Sequence, residues 1–259
     1  MYLANRPAVA DLWDLLRRSL ADAGLQRLPL DLSWPQDLHA HWLEPDLLLS
    51  QTCGYPFTDD LAGKVQLMGA FAYDAPQCSG IACRSVLVAR AEHGRLGLEG
   101  FRGLRAAFNA ANSQSGYNAF RAMVAPLATQ GRFFASALET GTHVASVAAV
   151  REGRADLAAI DCVTYTALAR YTPQATEDLS IVATTEAYPG LPLITAKGTS
   201  AYEIALLQSA VHALLASAEA APTLQALNIV GFEMPQASVY QRCVDMRESA
   251  QSRGYPLLA

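Results

Sequence analysis

RAAFN (105–109), NSQSGY (112–117) and NAFRAMVAPLA (118–128) read together as a strand, a turn and a helix. Small hydroxyl and amide side chains and one glycine fill the junction, so free backbone N–H groups and hydroxyls point at one spot. Such a spot suits an anion. An ordinary N-cap, in which Ser113 or Ser115 satisfies the first turn of its own helix, accounts for the same residues.

The unit repeats downstream. A strand over 133–139 precedes a helix over 142–152 that Gly153 can end, and a strand over 157–162 precedes a helix over 163–170, followed by a strand over 181–185. Alternating β and α segments predict an α/β protein built on an open, mostly parallel sheet covered on both faces.

Upstream, MYL (1–3) is strand-like, and Val9, Leu12, Trp13, Leu16 and Leu20 fall at helical spacing over 8–23 with Gly24 as a stop. LPLDLSW (28–34) alternates apolar and polar positions and reads as a strand, a short helix follows near 37–42, and DLLLSQ (46–51) is an apolar run of strand length. VQLMGAFAY (65–73) and ACRSVLVAR (82–90) read as strands joined by the turn residues of APQCSG. After the strand LPLITAK (191–197), SAYE (200–203) has the spacing of a capping box and opens a helix to about residue 220. APTL starts a short helix and residues 236–252 form a helical tail.

With 259 residues, 51% hydrophobic and 17% charged, the chain has ample apolar side chain for one large core or two smaller ones. Nineteen Lys and Arg against 24 Asp and Glu give a net charge of −5 with no basic run, which argues against nucleic acid as a partner. No apolar stretch suggests membrane insertion; the nearest candidate, 200–221, carries Glu203, Gln208, His212 and Glu219. The opening MYLANRPAVADLWDLLRRSL lacks the pattern of a secretory signal, so the chain reads as cytoplasmic or already trimmed.

Cys53, Cys78, Cys83, Cys162 and Cys243 show no CxxC pair and no histidine at metal-ligand spacing, so no metal and no cofactor is expected. Cys162 reads as a small buried hydrophobe. Cys53 and Cys78 both lie in turn-rich segments, and a disulfide between them is an open alternative to free thiols.

Ligands of open α/β sheets bind beyond the carboxyl ends of the strands. Asp161 falls there, where a buried carboxylate needs a partner, a ligand or a helix to cap. Glu186 ends a strand similarly. His143 opens its helix, where the positive helix end disfavours imidazolium and a bound anion would favour it; a solvated surface histidine is the alternative. Ser113 or Ser115 with His143 and Asp161 also supplies the residue types of a hydrolytic triad, a minor reading because GxSxG is absent. Tyr55, Tyr73 and Tyr117 lie in or beside loops where a ring can close a small pocket or simply pack. Arg84, inside a strand pattern, could pair with an anion or an acidic neighbour.

LLLSQTCGYP, NSQSGYNAFRAMVAPLA, GTHVASVAAVREGRADLAAIDCVTY and PGLPLITA, taken in order, resemble the phosphate/phosphonate ABC-transporter substrate-binding family, the PhnD-like proteins. The resemblance is clear over 47–197 and looser at the ends. It implies a two-lobed type II periplasmic binding-protein fold, each lobe a mostly parallel sheet flanked by helices. Lobe one would comprise 1–91 and 198–259, lobe two 92–197, with VLVAR and LPLITAK as the two crossover hinge strands.

By the same resemblance, the anion-gripping Ser-x-Ser-Gly turn is Ser113, Gln114, Ser115 and Gly116, followed by Tyr117. His143 and Asp161 would read the ligand's other end, and Thr52, Tyr55 and Tyr73 would close over it from the opposite lobe. The implied function is non-enzymatic binding of a small oxyanion, phosphate, a phosphonate or a phosphate ester, for a periplasmic ABC uptake system with its permease as partner. Two alternatives stay open: a cytoplasmic enzyme or ligand sensor on the same fold acting on a small phosphorylated or anionic molecule, and a scaffold with a vestigial cleft.

Overall fold

The computed structural model describes residues 5–26 and 28–259, so the strand expected at MYL lies outside the described residues. Helix α1 (Arg6–Asp22) buries Val9, Leu12, Trp13, Leu16 and Leu20 on one face, the Asn5 side chain caps it, and Gly24 at φ +93° follows it. Next come α2 (Leu38–Trp42), β1 (Ser50–Gln51), α3 (Gly54–Thr58), β2 (Val65–Tyr73), β3 (Ala82–Cys83), β4 (Ser85–Arg90) and β5 (Arg105–Phe108). They are followed by α4 (Ala119–Val124), β6 (Ser136–Glu139), α5 (His143–Arg151), β7 (Leu157–Asp161), α6 (Cys162–Tyr171), β8 (Leu179–Thr184), β9 (Tyr188–Pro189) and β10 (Pro192–Ala196). The chain ends with α7 (Ala201–Ala216), α8 (Ala221–Ala226), β11 (Ile229–Glu233) and α9 (Gln241–Ser252). Both arms of the expected capping box at Ser200 and Glu203 are present at the start of α7.

Two sheets divide the molecule. The first has the order β1-β10-β2-β11 and every pair in it is antiparallel. The second has the order β6-β5-β7-β4-β8; β6, β5 and β7 run parallel while β4 opposes both its neighbours. The mostly parallel sheets expected in both lobes are therefore corrected: among the described residues, parallel pairing is confined to three strands of one sheet. The chain reaches β4 directly from β3 with no helical crossover between, so β4 enters the second sheet against the direction of β7.

The second sheet is covered on both faces. Along β4, Leu87 and Ala89 join one cluster with Phe101, Phe120 and Tyr255, while Val86 and Val88 join another with Val147, Val150 and Leu168. Beneath the first sheet, α1 and α7 pack against Met68, Phe71 and Phe232. Phe232 lies so close over Gly69 that a Cβ there would meet its ring at 2.1 Å. That contact seats β11, a strand the sequence reading left out.

The short antiparallel ladder of β3 and β9, Ala82 with Pro189 and Cys83 with Tyr188, carries the chain between the sheets. VLVAR and LPLITAK lie one step beyond it, inside the second and the first sheet respectively. The C-terminal segment returns to the second sheet: Tyr255 and Leu258 join its core and the Phe133 and Phe134 amides donate to the Ala259 carbonyl.

LPLDLSW is not a strand. It bends over the surface with Leu30 75% exposed and no paired neighbour, walling a cavity of about 440 Å³ against α1, where Arg6 sits 4.8 Å above the Trp34 ring. Of DLLLSQ only Ser50 and Gln51 pair. The helix expected over 115–128 is a π turn (Gln114–Asn118), α4, and a short 3-10 turn (Ala125–Leu127) around Pro126, which has no N–H to continue the ladder.

Candidate ligand-binding site

The π turn follows β5 after the short loop 109–113, and all five of its residues are buried. Ser113 stands at its N-cap: its Oγ accepts from the Gly116 N–H at 3.1 Å, and its carbonyl accepts from the Asn118 N–H at 2.9 Å. The N-cap expected as an alternative is thus real, and it leaves the next hydroxyl free to face inward. Ser115 Oγ lies 2.8 Å from His143 Nε2 and 3.5 Å from Ser113 Oγ. Gly116 permits this approach, because a Cβ there would meet Asn109 Oδ1 at 2.0 Å and His143 Cε1 at 3.0 Å.

Ser85 anchors the turn from β4. Its Oγ donates to the Ser115 carbonyl at 2.8 Å and lies 2.7 Å from the Tyr188 hydroxyl on β9, which joins the turn to the β3–β9 ladder. Facing it from the other sheet is the segment after β1. The Cys53 thiol confronts the Gln114 and Ser115 N–H groups and the Ser113 hydroxyl; burial pushes this thiol up, against the pull of those N–H groups. Beside it Thr52 Oγ1 is buried without a partner. Sequence reading placed Thr52 in the cleft and missed Cys53, Ser85, Asn109 and Tyr188. Ser85, a hydroxyl opening an otherwise apolar strand, was the signal available.

His143 begins α5 behind its cap residue Thr142. Burial pulls its pKa down to about 4, against a weaker upward pull from the Ala159 carbonyl, and Nδ1 has no partner at hydrogen-bond geometry. Enclosure, more than the helix end, keeps it neutral. Asp161 Oδ1 accepts from the Thr164 N–H at 2.9 Å and caps α6. Burial, then the neighbouring Cys162, pushes its pKa up to about 7. Tyr73 ends β2 with its hydroxyl accepting from Gln51 Nε2 at 3.3 Å, and burial beside Asp161 raises its pKa.

Other expected contacts point elsewhere. Gln114 Nε2 reaches Met246 Sδ on α9 and its Oε1 accepts from Asn118, because the π turn rotates this side chain away from Ser113 and Ser115. Tyr117 packs on Phe108, and its hydroxyl accepts from the Leu258 N–H. Tyr55, on α3, lies 5.9 Å from the Arg247 guanidinium. Glu186 pairs with Arg242, and Arg84 donates to the Thr185 carbonyl at 2.7 Å, so neither belongs to the cluster. The five cysteines are free; Cys78 lies against Cys83 and Cys162, which rules out the Cys53–Cys78 disulfide in this structure.

What results is a buried set of hydroxyls, backbone N–H groups and a neutral imidazole between two sheets. No lysine or arginine side chain makes a hydrogen bond to Ser113, Ser115, His143 or Asp161 among the described residues. Dipolar donors of this kind bind an anion without a counter-charge.

A family profile described as "ABC transporter, phosphonate, periplasmic substrate-binding protein" matches residues 46–240. A search of curated protein sequences returns no match. Among solved structures, PhnD1 from Prochlorococcus marinus in complex with methylphosphonate aligns with a TM-score of 0.77 at 15% identity, over 95% of this chain and 94% of that one. A Xanthomonas citri protein bound to ATP aligns with a TM-score of 0.71 at 16% identity, over 96% and 94% of the two chains. A binding-protein component of an ABC phosphonate transporter from Pseudomonas aeruginosa gives 0.68 at 16%, over 94% and 82%. At such identities the structural likeness establishes the two-lobed type II periplasmic binding-protein fold. The profile spans most of the chain and establishes more: the chain belongs to the family of periplasmic substrate-binding proteins of phosphonate ABC transporters.

Proposed function

We propose that the chain binds a phosphonate, phosphate or small phosphate ester between its lobes, with Ser113, Ser115 and the N–H groups of the π turn gripping the anion. The observation that carries this reading is that turn: two hydroxyls and the Gln114 and Ser115 N–H groups converge on one buried point now faced by a thiol. His143 and Asp161 would contact the ligand from the second lobe, and Thr52, Cys53 and Tyr73 from the first, while Tyr55 faces Arg247 instead. Gly116 supports the site by leaving room, while Gln114 contributes its amide and Tyr117 fixes the turn from behind.

The lobes are taken as the first and the second sheet with their flanking helices, hinged at the β3–β9 ladder, which moves 85–90 into the second lobe and 192–196 into the first relative to the boundaries expected at 91/92 and 197/198. Ligand-dependent closure about that ladder would present the occupied form to an ABC permease in the periplasm. No helix among the described residues is long and apolar enough to cross a membrane. A hydrolytic role has less support. Ser115 and His143 are in contact, but Asp161 caps α6 and no carboxylate orients His143 Nδ1.

Isothermal titration with methylphosphonate, phosphate and phosphate esters, for wild type and for Ser115→Ala, tests the reading. Saturable binding that Ser115→Ala weakens supports it. No heat with any of these ligands, or turnover of an ester that depends on Ser115, overturns it.

A further inference from the structure

Cys78 and Cys83, five residues apart, meet Cys162, 84 residues beyond Cys78, in the fold. Cys78 lies in the turn after β2, Cys83 on the hinge strand β3, and Cys162 at the first position of α6. Cys78 Sγ is 3.0 Å from Cys83 Sγ and 3.3 Å from Cys162 Sγ, and the three sulfurs lie within 4.8 Å of one another. Cys83 and Cys162 are each 1% exposed, while Cys78 keeps part of its surface open.

These separations exceed the S–S bond length of about 2.05 Å. A metal ion about 2.3 Å from each sulfur would hold them roughly 3.8–4 Å apart. The observed trio therefore needs only an outward adjustment of under about 1 Å per contact to embrace an ion, and Cys78 offers the entry path. No histidine or carboxylate completes the set among the described residues, since Asp161 is spent on the Thr164 N–H.

Donor chemistry then limits the occupant. Three sulfurs and no oxygen exclude magnesium and calcium, which take oxygen ligands. Thiolates select soft ions, Cu(I) and Zn(II) among them, and Zn(II) in a closed site takes four ligands. Three thiolates in a largely dry pocket match the softer ion best. We propose that Cys78, Cys83 and Cys162 form a hinge site for a soft, thiolate-preferring cation, Cu(I) before Zn(II), distinct from the Ser113–Ser115 turn that would grip the anion. An ion held there would tie the hinge strand β3 to α6 of the second lobe.

The test uses the reduced full chain under nitrogen, titrated with Cu(I) in competition with bicinchoninate, with thiolate-to-metal absorbance in the near ultraviolet read in parallel. One equivalent should be withheld from the chelator, and the thermal midpoint should rise as it binds. Zn(II) should be held more weakly. Cys78→Ser, at the half-exposed position, should abolish uptake with its circular dichroism unchanged, Cys83→Ala should do the same, and Cys53→Ser should retain the full equivalent. Failure of the wild type to compete, uptake undiminished in folded Cys78→Ser, or a disulfide within the trio whose reduction still leaves no Cu(I) uptake would each overturn the proposal. Because no anion enters the measurement, its outcome is independent of phosphonate binding.

Discussion

Replacing Gly116 with alanine isolates the geometry on which the anion site depends. Gly116 has no left-handed backbone, so alanine meets no conformational penalty, and within the turn it would contribute roughly 0.5–1 kcal/mol through reduced backbone freedom. The space is the obstacle. The new Cβ would stand 2.0 Å from Asn109 Oδ1, 3.0 Å from Asn109 Cγ and 3.0 Å from His143 Cε1. The Asn109 oxygen has no hydrogen-bond partner and can swing aside, but the imidazole must also retreat, stretching the 2.8 Å Ser115–His143 contact. Overpacking of this kind costs about 1–3 kcal/mol, so the net loss of stability should be about 0.5–2 kcal/mol. Affinity should suffer more: displacing His143 and Asn109 at the gripping turn should cost at least tenfold, or about 1.4 kcal/mol. Urea denaturation gives the first number and titration with methylphosphonate the second. Gly198→Ala is the control, because nothing lies within 4 Å of its Cβ position. Equal affinity for Gly116→Ala and wild type would refute the placement of the ligand against this turn.

Asp156 accepts from Arg105 N, Nε and Nη2 at 3.0, 2.9 and 2.9 Å, and these bonds, with Arg90 behind them, hold its pKa down to about 2. A depressed carboxylate stabilises above its unfolded pKa and loses that contribution as pH falls from roughly 4 to 2. The Arg105 side chain is 45% exposed, so screening holds the contribution to about 1–2 kcal/mol, and Asp156→Asn should flatten that stretch of the stability profile in urea melts. His143 runs on another window: with its pKa lowered to about 4, its contribution is complete above roughly pH 6.5 and is lost as pH falls toward 4, about 3 kcal/mol in all, a slope absent from His143→Gln. A bound anion favours the imidazolium, so wild-type methylphosphonate affinity should gain on that of His143→Gln between pH 8 and 6, read by titration at about one-unit steps. Ser85→Ala leaves the Ser115 carbonyl without its donor, and should cost about 1–3 kcal/mol in denaturation while weakening the ligand.

Local signals carried the second lobe and failed in the first. In 105–170 each strand is followed in the chain by its own helix, so period and caps sufficed, and Asp161 was visible as a cap before it was visible as a neighbour of the site. LPLDLSW has strand alternation, but a strand exists only if another pairs with it, and the partners of the first sheet come from more than 120 residues away. NIVGFE shows the converse: Gly231 and Glu233 interrupt its pattern, while the docking of Phe232 on Gly69 makes it a strand. Strand direction was hidden for the same reason, since it is decided by how the chain re-enters each sheet at β3 and β9. Within the site, Ser113, Ser115 and His143 could be named from residue type, but the facing of Gln114 and Tyr117 depends on a π turn, whose extra residue turns neighbours to opposite sides.

The same geometry constrains how a ligand is gained. The groups that would meet an anion first already face neighbours: Ser115 Oγ contacts His143, and the turn's N–H groups lie toward the Cys53 thiol. A thiol is a weak acceptor, and an uncharged imidazole is a modest partner, so an oxyanion replaces poor bonds with charge-assisted ones. The gain is largest when the lobes close, because then Thr52 Oγ1, buried without a partner, also acquires one. Differential affinity for the closed form is what lets a ligand hold the hinge shut, and the polar groups this fold leaves poorly satisfied at the lobe interface are its source.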